Sequence, residues 1–399
     1  MKICFVSSSF PRKYPDHIAP WFRPITQEFL KRGHSLSVFV PAYRGNAQTE
    51  YEGAEVCRFR YAPERWERLT HEDSSPAMLH SPLWKLVLLS YVVCGSLRAA
   101  IYFSRRRFDV IDVHWPFPQA VFGIIGKLLT GAKLVYHFYA SEILLIQRSF
   151  LLRKLFALMM PFADEVIAIS GPTKDWVETM IKPKLPVKVV YLGNTLPYPD
   201  KPSPHNPDFT KEPLRLFYAG KLIERLGPQY LLEAARILKE KGADFRLAVA
   251  GTGYLHDEIA AKIKAYGLEK NVELLGFIYK ERLAEEYLKC HIFIFPSVVD
   301  SRGDTTGLGM VAMDALFYAR PVIASEVGGV VDIVIDGKTG YRVPQKDTAA
   351  LAAKILQVRD NYAQAAALAL KGRRYAEENF SWDAVTSHML SVFSGGANA

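Results

Sequence analysis

The run from His291 to Gly329 reads HIFIFPSVVDSRGDTTGLGMVAMDALFYARPVIASEVGG. Its opening, Ile292–Phe295, is a short continuous apolar run stopped by Pro296, the pattern of a strand buried on both faces. A polar loop from Val298 to Thr305 follows. Thr306-Gly307-Leu308-Gly309-Met310 then opens a helix that carries Asp314. Arg320-Pro321 ends that helix, and Val322–Ala324 is again an apolar strand before Val327-Gly328-Gly329. Strand, loop, helix and strand in this order make one layer-building unit of a parallel sheet.

The same alternation runs through the whole chain. Ile3–Val6, Ser35–Val40, Val110–Val113, Lys133–Tyr136, Glu165–Ile169 and Val187–Tyr191 read as strands in the first half. Pro20–Lys31 and Phe117–Thr130 are helix-length segments between them, stopped by Gly33 and Gly131. Leu214–Ala219, Phe245–Ala250 and Val272–Leu275 restart the pattern ahead of Ile292. Between the two series, Leu196–Pro213 carries six prolines, a density that excludes helix and central strand. The fold expected is therefore α/β, two Rossmann-like doubly wound parallel-sheet domains facing a cleft. Residues 1–195 would form the first, 196–213 a linker and 214–380 the second. A terminal helix over 381–395, with Ser381 as its N-cap, would pack back near the first domain.

The chain has 399 residues, 49% hydrophobic and 23% charged, which is globular and long enough for two cores. Cys4, Cys57, Cys94 and Cys290 stand far apart with no CxxC pair, which favours buried free thiols over a zinc cage or a disulfide framework. Met1–Ser9 reads as a first strand rather than a leader, so a cytoplasmic protein is expected. Residues 1–200 hold 25 Lys+Arg against 17 Asp+Glu, and the remainder 25 against 24. A basic first half fits an anionic acceptor or membrane surface, or simply a solvated surface. Leu83–Phe103 is apolar but interrupted by Lys85 and Arg98, which argues against a span. Ile143–Phe162 mixes apolar residues with Arg148, Arg153 and Lys154; it either packs on the sheet or lies on the inner face of a membrane.

Ligands of open parallel sheets bind at the carboxyl ends of the strands. Four such ends carry chemistry here. Gly220-Lys221, with Arg225 four residues on, is a glycine turn followed by cations, able to hold a diphosphate or to be an ordinary tight turn. Gly251-Thr252-Gly253 permits close backbone approach. Thr306, Gly307, Leu308 and Gly309 lie at a helix N-terminus, an anion-binding position. Asp314 follows Thr306 by eight residues, about two helical turns on and on the same side. His114 and Trp115 end a strand, where they either line an acceptor site or sit satisfied in the core.

Taken together, the order and spacing from Pro296 to Val343 resemble family 4 of the retaining glycosyltransferases, which have the GT-B fold. Phe10-Pro11-Arg12, Lys31-Arg32-Gly33-His34, Asp109 to Trp115, Ala163 to Ser170 and Leu192-Gly193-Asn194 agree more loosely. The resemblance implies a nucleoside-diphosphate sugar, UDP- or GDP-linked, held by the second domain, and a glycan or lipid-linked acceptor held by the first. It implies no cofactor and no metal, and no Asp-x-Asp motif is present to bridge a diphosphate through one. Lys221 and Arg225 would stabilise the leaving diphosphate. Gly220, Gly251, Thr306, Gly307, Leu308, Gly309 and Asp314 would bind the donor, with Asp314 on the ribose. Asp16, His17 and His114 would meet the acceptor, while His137 and Tyr139 would complete the catalytic set, His137 as the proton-handling group.

This chain departs from the family at several positions. Thr306 and Asp314 stand where the family has two glutamates, and Leu226 where it has a second cation. Tyr139-Ala140-Ser141-Glu142 replaces His-Gly-Ser-Asp. The function expected is transfer of a hexose to a hydroxyl with retention of anomeric configuration. The alternatives are a catalytically silent sugar-nucleotide-binding protein and a nucleotide-sugar epimerase. No GxGxxG follows the first strand of either half, which disfavours a dehydrogenase, and no nucleic-acid partner is expected.

Overall fold

The computed structural model describes residues 1–12, 19–70, 81–140, 146 and 149–395. The chain divides into two compact units, Met1–Tyr191 with Val385–Ala399, and Leu192–Ala384.

The first unit is built on an eight-stranded sheet. Its strands are β1 (Lys2–Val6), β2 (Ser35–Pro41), β3 (Glu50–Tyr51), β4 (Ala54–Phe59), β5 (Val110–His114), β6 (Lys133–Phe138), β7 (Glu165–Ala168) and β8 (Val187–Val189). Their order is β3-β4-β2-β1-β5-β6-β7-β8, and every pair is parallel except β3 with β4. Strand order grows leftward from β1 and rightward from β5. With right-handed crossovers, that reversal sends connections to both faces and leaves a switch point between β1 and β5.

The described helices of this unit are α1 (Phe22–Lys31), α2 (Pro82–Ser104), α3 (Pro116–Thr130), α4 (Phe150–Met159) and α5 (Gly171–Met180). Gly131 at φ 74° closes α3 in the left-handed conformation that glycine favours. The helix α2 is long and apolar enough to cross a membrane by length and composition. Val87, Tyr91, Gly95, Ala99 and Tyr102 nevertheless form a buried stripe at helical spacing. That stripe packs against α3, closely enough that a Cβ on Gly95 would stand 2.4 Å from the Phe122 ring. Its other face leaves Leu83, Leu86, Leu89, Val93, Leu97 and Ile101 exposed.

The second unit has six parallel strands, β9 (Leu214–Ala219), β10 (Phe245–Ala250), β11 (Val272–Gly276), β12 (Ile292–Phe295), β13 (Val322–Ser325) and β14 (Tyr341–Val343). They are ordered β11-β10-β9-β12-β13-β14, with the switch point between β9 and β12. Its helices are α6 (Pro228–Glu240), α7 (His256–Ala265), α8 (Lys280–Lys289), α9 (Met310–Phe317), α10 (Val330–Ile333), α11 (Thr348–Asp360) and α12 (Tyr362–Phe380). The last helix, α13 (Trp382–Phe393), follows Ser381, whose Oγ accepts from the Ala384 N–H. Its end belongs to the first unit. Lys133 donates to the Val392 carbonyl, Arg32 donates to Ser387, and Phe393 stacks on Phe29.

The proline-rich stretch 196–213, expected as a linker, is part of the second unit. Tyr318, Arg373 and Arg320 donate side-chain hydrogen bonds to the carbonyls of Pro197, Pro199 and Ser203. Prolines cannot donate from nitrogen, but their carbonyls remain good acceptors. Arg320 and Arg373 are buried largely in serving this segment.

Candidate active site

The loops after β9, β10 and β12 meet at the switch point of the second unit, and glycines let them do so. Gly251, after β10, lies so near Gly220 that a Cβ on it would stand 1.8 Å from the Gly220 carbonyl oxygen. Gly227, at φ 71°, approaches Pro296 after β12 in the same way, again at 1.8 Å from a carbonyl oxygen. Lys221 emerges exposed at the end of β9. Arg225 follows in a short 3-10 turn, and its Nη1 donates to Asp304 Oδ2 at 2.6 Å. The Arg225 carbonyl also accepts from the Val298 N–H.

The loop from Val298 to Thr305 is internally braced. Asp300 accepts from the N–H groups of Arg302 and Asp304. Burial pushes its carboxyl up, and these hydrogen bonds with the Arg302 side chain more than offset that, holding it below the usual carboxylate range. Ser301 donates twice to the Glu224 carboxylate. Gly328 and Gly329 lie directly against the next turn. The Gly329 N–H donates to the Thr306 carbonyl, and a Cβ on Gly329 would stand 1.9 Å from the Gly307 oxygen. Gly309 at φ 92° starts α9.

Two of the donor-site expectations look different in three dimensions. Thr306 is 9% exposed and Leu308 is buried, so Gly307 is the part of that turn that reaches the surface. Asp314 is 1% exposed, and its carboxylate accepts from both the N–H and the hydroxyl of Thr195. Burial pushes the Asp314 carboxyl up to about 6 against the opposing pull of those hydrogen bonds. In this structure the side chain ties α9 to the segment entering the second unit.

The first unit gathers a second group on β5 and β6, beside its own switch point. Asp112 and His114 lie two residues apart on β5 and therefore on one face. His137 is paired with His114 across β6. All three are 0–1% exposed. His114 Nε2 stands 3.3 Å and His137 Nδ1 3.6 Å from Asp112 Oδ2. Tyr139 Oη lies 2.6 Å from His114 Nδ1, and the Trp115 ring stacks on Tyr139 at 4.3 Å. Burial drives the His114 pKa down to about 4 against the pull of Asp112, so this imidazole is neutral near pH 7. His114, expected to meet an acceptor, and His137, expected to handle a proton, are thus enclosed together. Asp16 and His17 lie outside the described residues.

Residues 201–375 match the family model described as glycosyl transferases group 1, and residues 23–195 match the one described as glycosyltransferase family 4. The chain belongs to the group 1 glycosyltransferases. Among its relatives is the amylovoran biosynthesis glycosyltransferase AmsK of Erwinia amylovora. The two are 28% identical over 291 residues, 71% of this chain and 70% of that one. Sucrose-phosphate synthase from Thermosynechococcus elongatus has a similar structure, with TM-score 0.75 and 19% identity over 99% of this chain and 98% of the other. Anabaena HepE in complex with UDP and glucose gives 0.69 and 18% over 99% and 100%. Two parallel-sheet α/β units with such neighbours are the architecture of GT-B glycosyltransferases.

Within this glycosyltransferase, the braced loops after β9 and β12 lie inside the span matched by the group 1 model. Two site features were not read from the sequence. Asp304 as the partner of Arg225 needed the fold, since 79 residues separate them. Asp112 beside the two histidines was in principle signalled by the Asp-x-His alternation at the end of β5, but the third member required the β5–β6 register.

Proposed function

We propose that this glycosyltransferase moves a hexose from a UDP- or GDP-linked sugar to a hydroxyl of a glycan or lipid-linked acceptor, with retention of anomeric configuration. The observation that carries the reading is the convergence of Gly220-Lys221, Arg225 and Gly307 on the switch point of the second unit. Lys221 and Arg225 face the diphosphate, and the Gly307 turn at the start of α9 faces the phosphate and sugar. In the transfer, the bond from the anomeric carbon to the diphosphate oxygen breaks and its electron pair leaves with the diphosphate. The acceptor oxygen bonds to the same face of that carbon, and its proton passes to a diphosphate oxygen. The protein's part is to position both substrates and to stabilise the charge that develops on the leaving group. Asp304 holds Arg225 in place in the resting protein and yields it when the diphosphate arrives.

The relationship to AmsK supports an acceptor belonging to a cell-envelope or extracellular polysaccharide. The HepE complex supports a uridine nucleotide. A peripheral position on the inner, anionic face of a membrane belongs to the same proposal. The exposed apolar row on α2 and the exposed Phe150, Leu151, Leu155 and Leu158 of α4 support it, flanked by Lys85, Arg98, Arg153 and Lys154. The test is a panel of nucleotide sugars presented with lipid-linked and free glycan acceptors, with products followed by mass. A new glycosidic linkage and released nucleoside diphosphate support the proposal. Nucleotide-sugar binding without transfer to any acceptor would make the protein a silent binder. A new nucleotide sugar formed without acceptor would make it an epimerase.

A further inference from the structure

Asp112, His114 and His137 present a problem of unpaired charge. Among the described residues, neither oxygen of Asp112 has a hydrogen-bond partner, nor do His114 Nε2 and either ring nitrogen of His137. Buried polar atoms are nearly always paired, and a bare buried carboxylate is the costliest exception. Five such atoms in one enclosed cluster, two of them on a carboxylate beside two imidazoles, point to a cation among them. The two contacts to one carboxylate oxygen, at 3.3 and 3.6 Å, are not hydrogen bonds.

The 3.3 Å separation fits a different arrangement, and the 3.6 Å one reaches it with a small inward shift of His137. Two ligand atoms bound to one tetrahedral ion at about 2.0–2.1 Å stand about 3.3–3.4 Å apart. One nitrogen from each histidine and one oxygen of Asp112 all fall within 4.8 Å of one another. We propose that Asp112, His114 and His137 bind a first-row divalent metal ion, zinc being the best match to two imidazoles and a carboxylate.

The surroundings complete the site. Tyr139 Oη lies at His114 Nδ1, so a proton donated from Nδ1 to Tyr139 leaves Nε2 as the lone pair facing Asp112. A ligating histidine fixed through its other nitrogen is the usual outer arrangement of metal sites. Phe5 and Phe22 pack edge-on against His114 at 4.7 and 5.1 Å, and the His137 ring stacks with His114 and Tyr139. The ion therefore sits in a largely aromatic shell. With three protein ligands the ion keeps a fourth position for water, and it pins the ends of β5 and β6, where Trp115 and Ala140 turn through left-handed backbone at φ 51° and 80°.

The experiment is elemental analysis of the full chain, purified without a metal-affinity tag, followed by chelator dialysis and titration with cobalt(II). The expected result is about one equivalent of a divalent metal, a lower Tm after chelation, and visible ligand-field absorption on adding cobalt. His137→Gln should abolish the cobalt spectrum. Tyr139→Phe, which removes only the outer partner, should retain the spectrum and weaken affinity about 10–100-fold. A wild-type chain that holds no metal and gives no cobalt spectrum overturns the site and leaves a proton as the missing cation. Metal retained in His137→Gln with unchanged affinity overturns it as well, by placing the ion elsewhere.

Discussion

Arg225 Nη1 and Asp304 Oδ2 stand 2.6 Å apart and tie the loop after β9 to the loop after β12. Their side chains are 33% and 20% exposed, so the pair contributes little to stability, about 0.2–1 kcal/mol. Its larger effect is on ligand binding. Asp304→Asn removes the negative charge that competes with a diphosphate for Arg225. That variant should keep its Tm within a few degrees and bind nucleoside diphosphates more tightly by up to about 1 kcal/mol. Arg225→Ala should weaken the same binding by about 1.5–3 kcal/mol, as expected for a charge-assisted hydrogen bond. Calorimetry and thermal melts of both variants check the opposite signs.

Asp314 gives a pH signature. Its folded pKa of about 6 lies above the unfolded value of about 3.9, so folding favours the protonated form. The associated stability is fully present below about pH 4 and is lost as pH rises through about 6, roughly 3 kcal/mol in all. Asp314→Asn removes this dependence while keeping the size of the side chain. The stability of the wild type relative to Asp314→Asn should therefore fall between pH 4 and pH 7. A constant difference in denaturant midpoints across that range would show that the carboxyl is not raised.

Much of this fold was legible before the structure. The apolar runs at Ile292–Phe295 and Val322–Ala324, and the helix stop at Gly131, depend on short-range pattern and backbone preference, and they fall where expected. The role of Leu196–Pro213 was not legible. Its prolines exclude helix, but nothing local shows that Tyr318, Arg320 and Arg373 donate to its carbonyls from more than 100 residues away. The inward turn of Asp314 toward Thr195 was hidden for the same reason. Helical spacing places a residue on a side of its helix, and only tertiary packing decides whether that side faces ligand or chain.

Gly227 tests the meeting of the two loops. It combines φ 71° with a position where a Cβ would stand 1.8 Å from the Pro296 oxygen. Gly227→Ala should cost at least the 1–2 kcal/mol of left-handed backbone, and more for the displaced loop. Nucleotide binding should fall with it, because Arg225 and Val298 are joined across the same contact. Gly242, also at positive φ but with open space around it, is the control. Gly242→Ala should lose stability to the backbone strain alone and keep its nucleotide affinity.

The exposed row on α2 tests the membrane proposal. Leu86→Gln with Leu97→Gln changes two exposed side chains, so Tm should stay nearly constant. Binding to acidic vesicles should drop in the double variant. In the wild type it should weaken as salt shortens the Debye length below about 8 Å at 0.15 M. Equal binding of both proteins to acidic and neutral vesicles would count against an anionic docking face.

Under the proposed function, the second unit holds a nucleoside-diphosphate sugar through the turn at Gly220-Lys221. Lys221 is exposed at the end of β9, so its removal should leave the fold intact. The most direct measurement is calorimetric titration of UDP and GDP into the wild type and into Lys221→Ala. One of these nucleotides should bind the wild type, and the variant should bind it about 10–100-fold more weakly, the equivalent of one charge-assisted hydrogen bond. Equal affinity in the two proteins, or no binding of either nucleotide to the wild type, would contradict it.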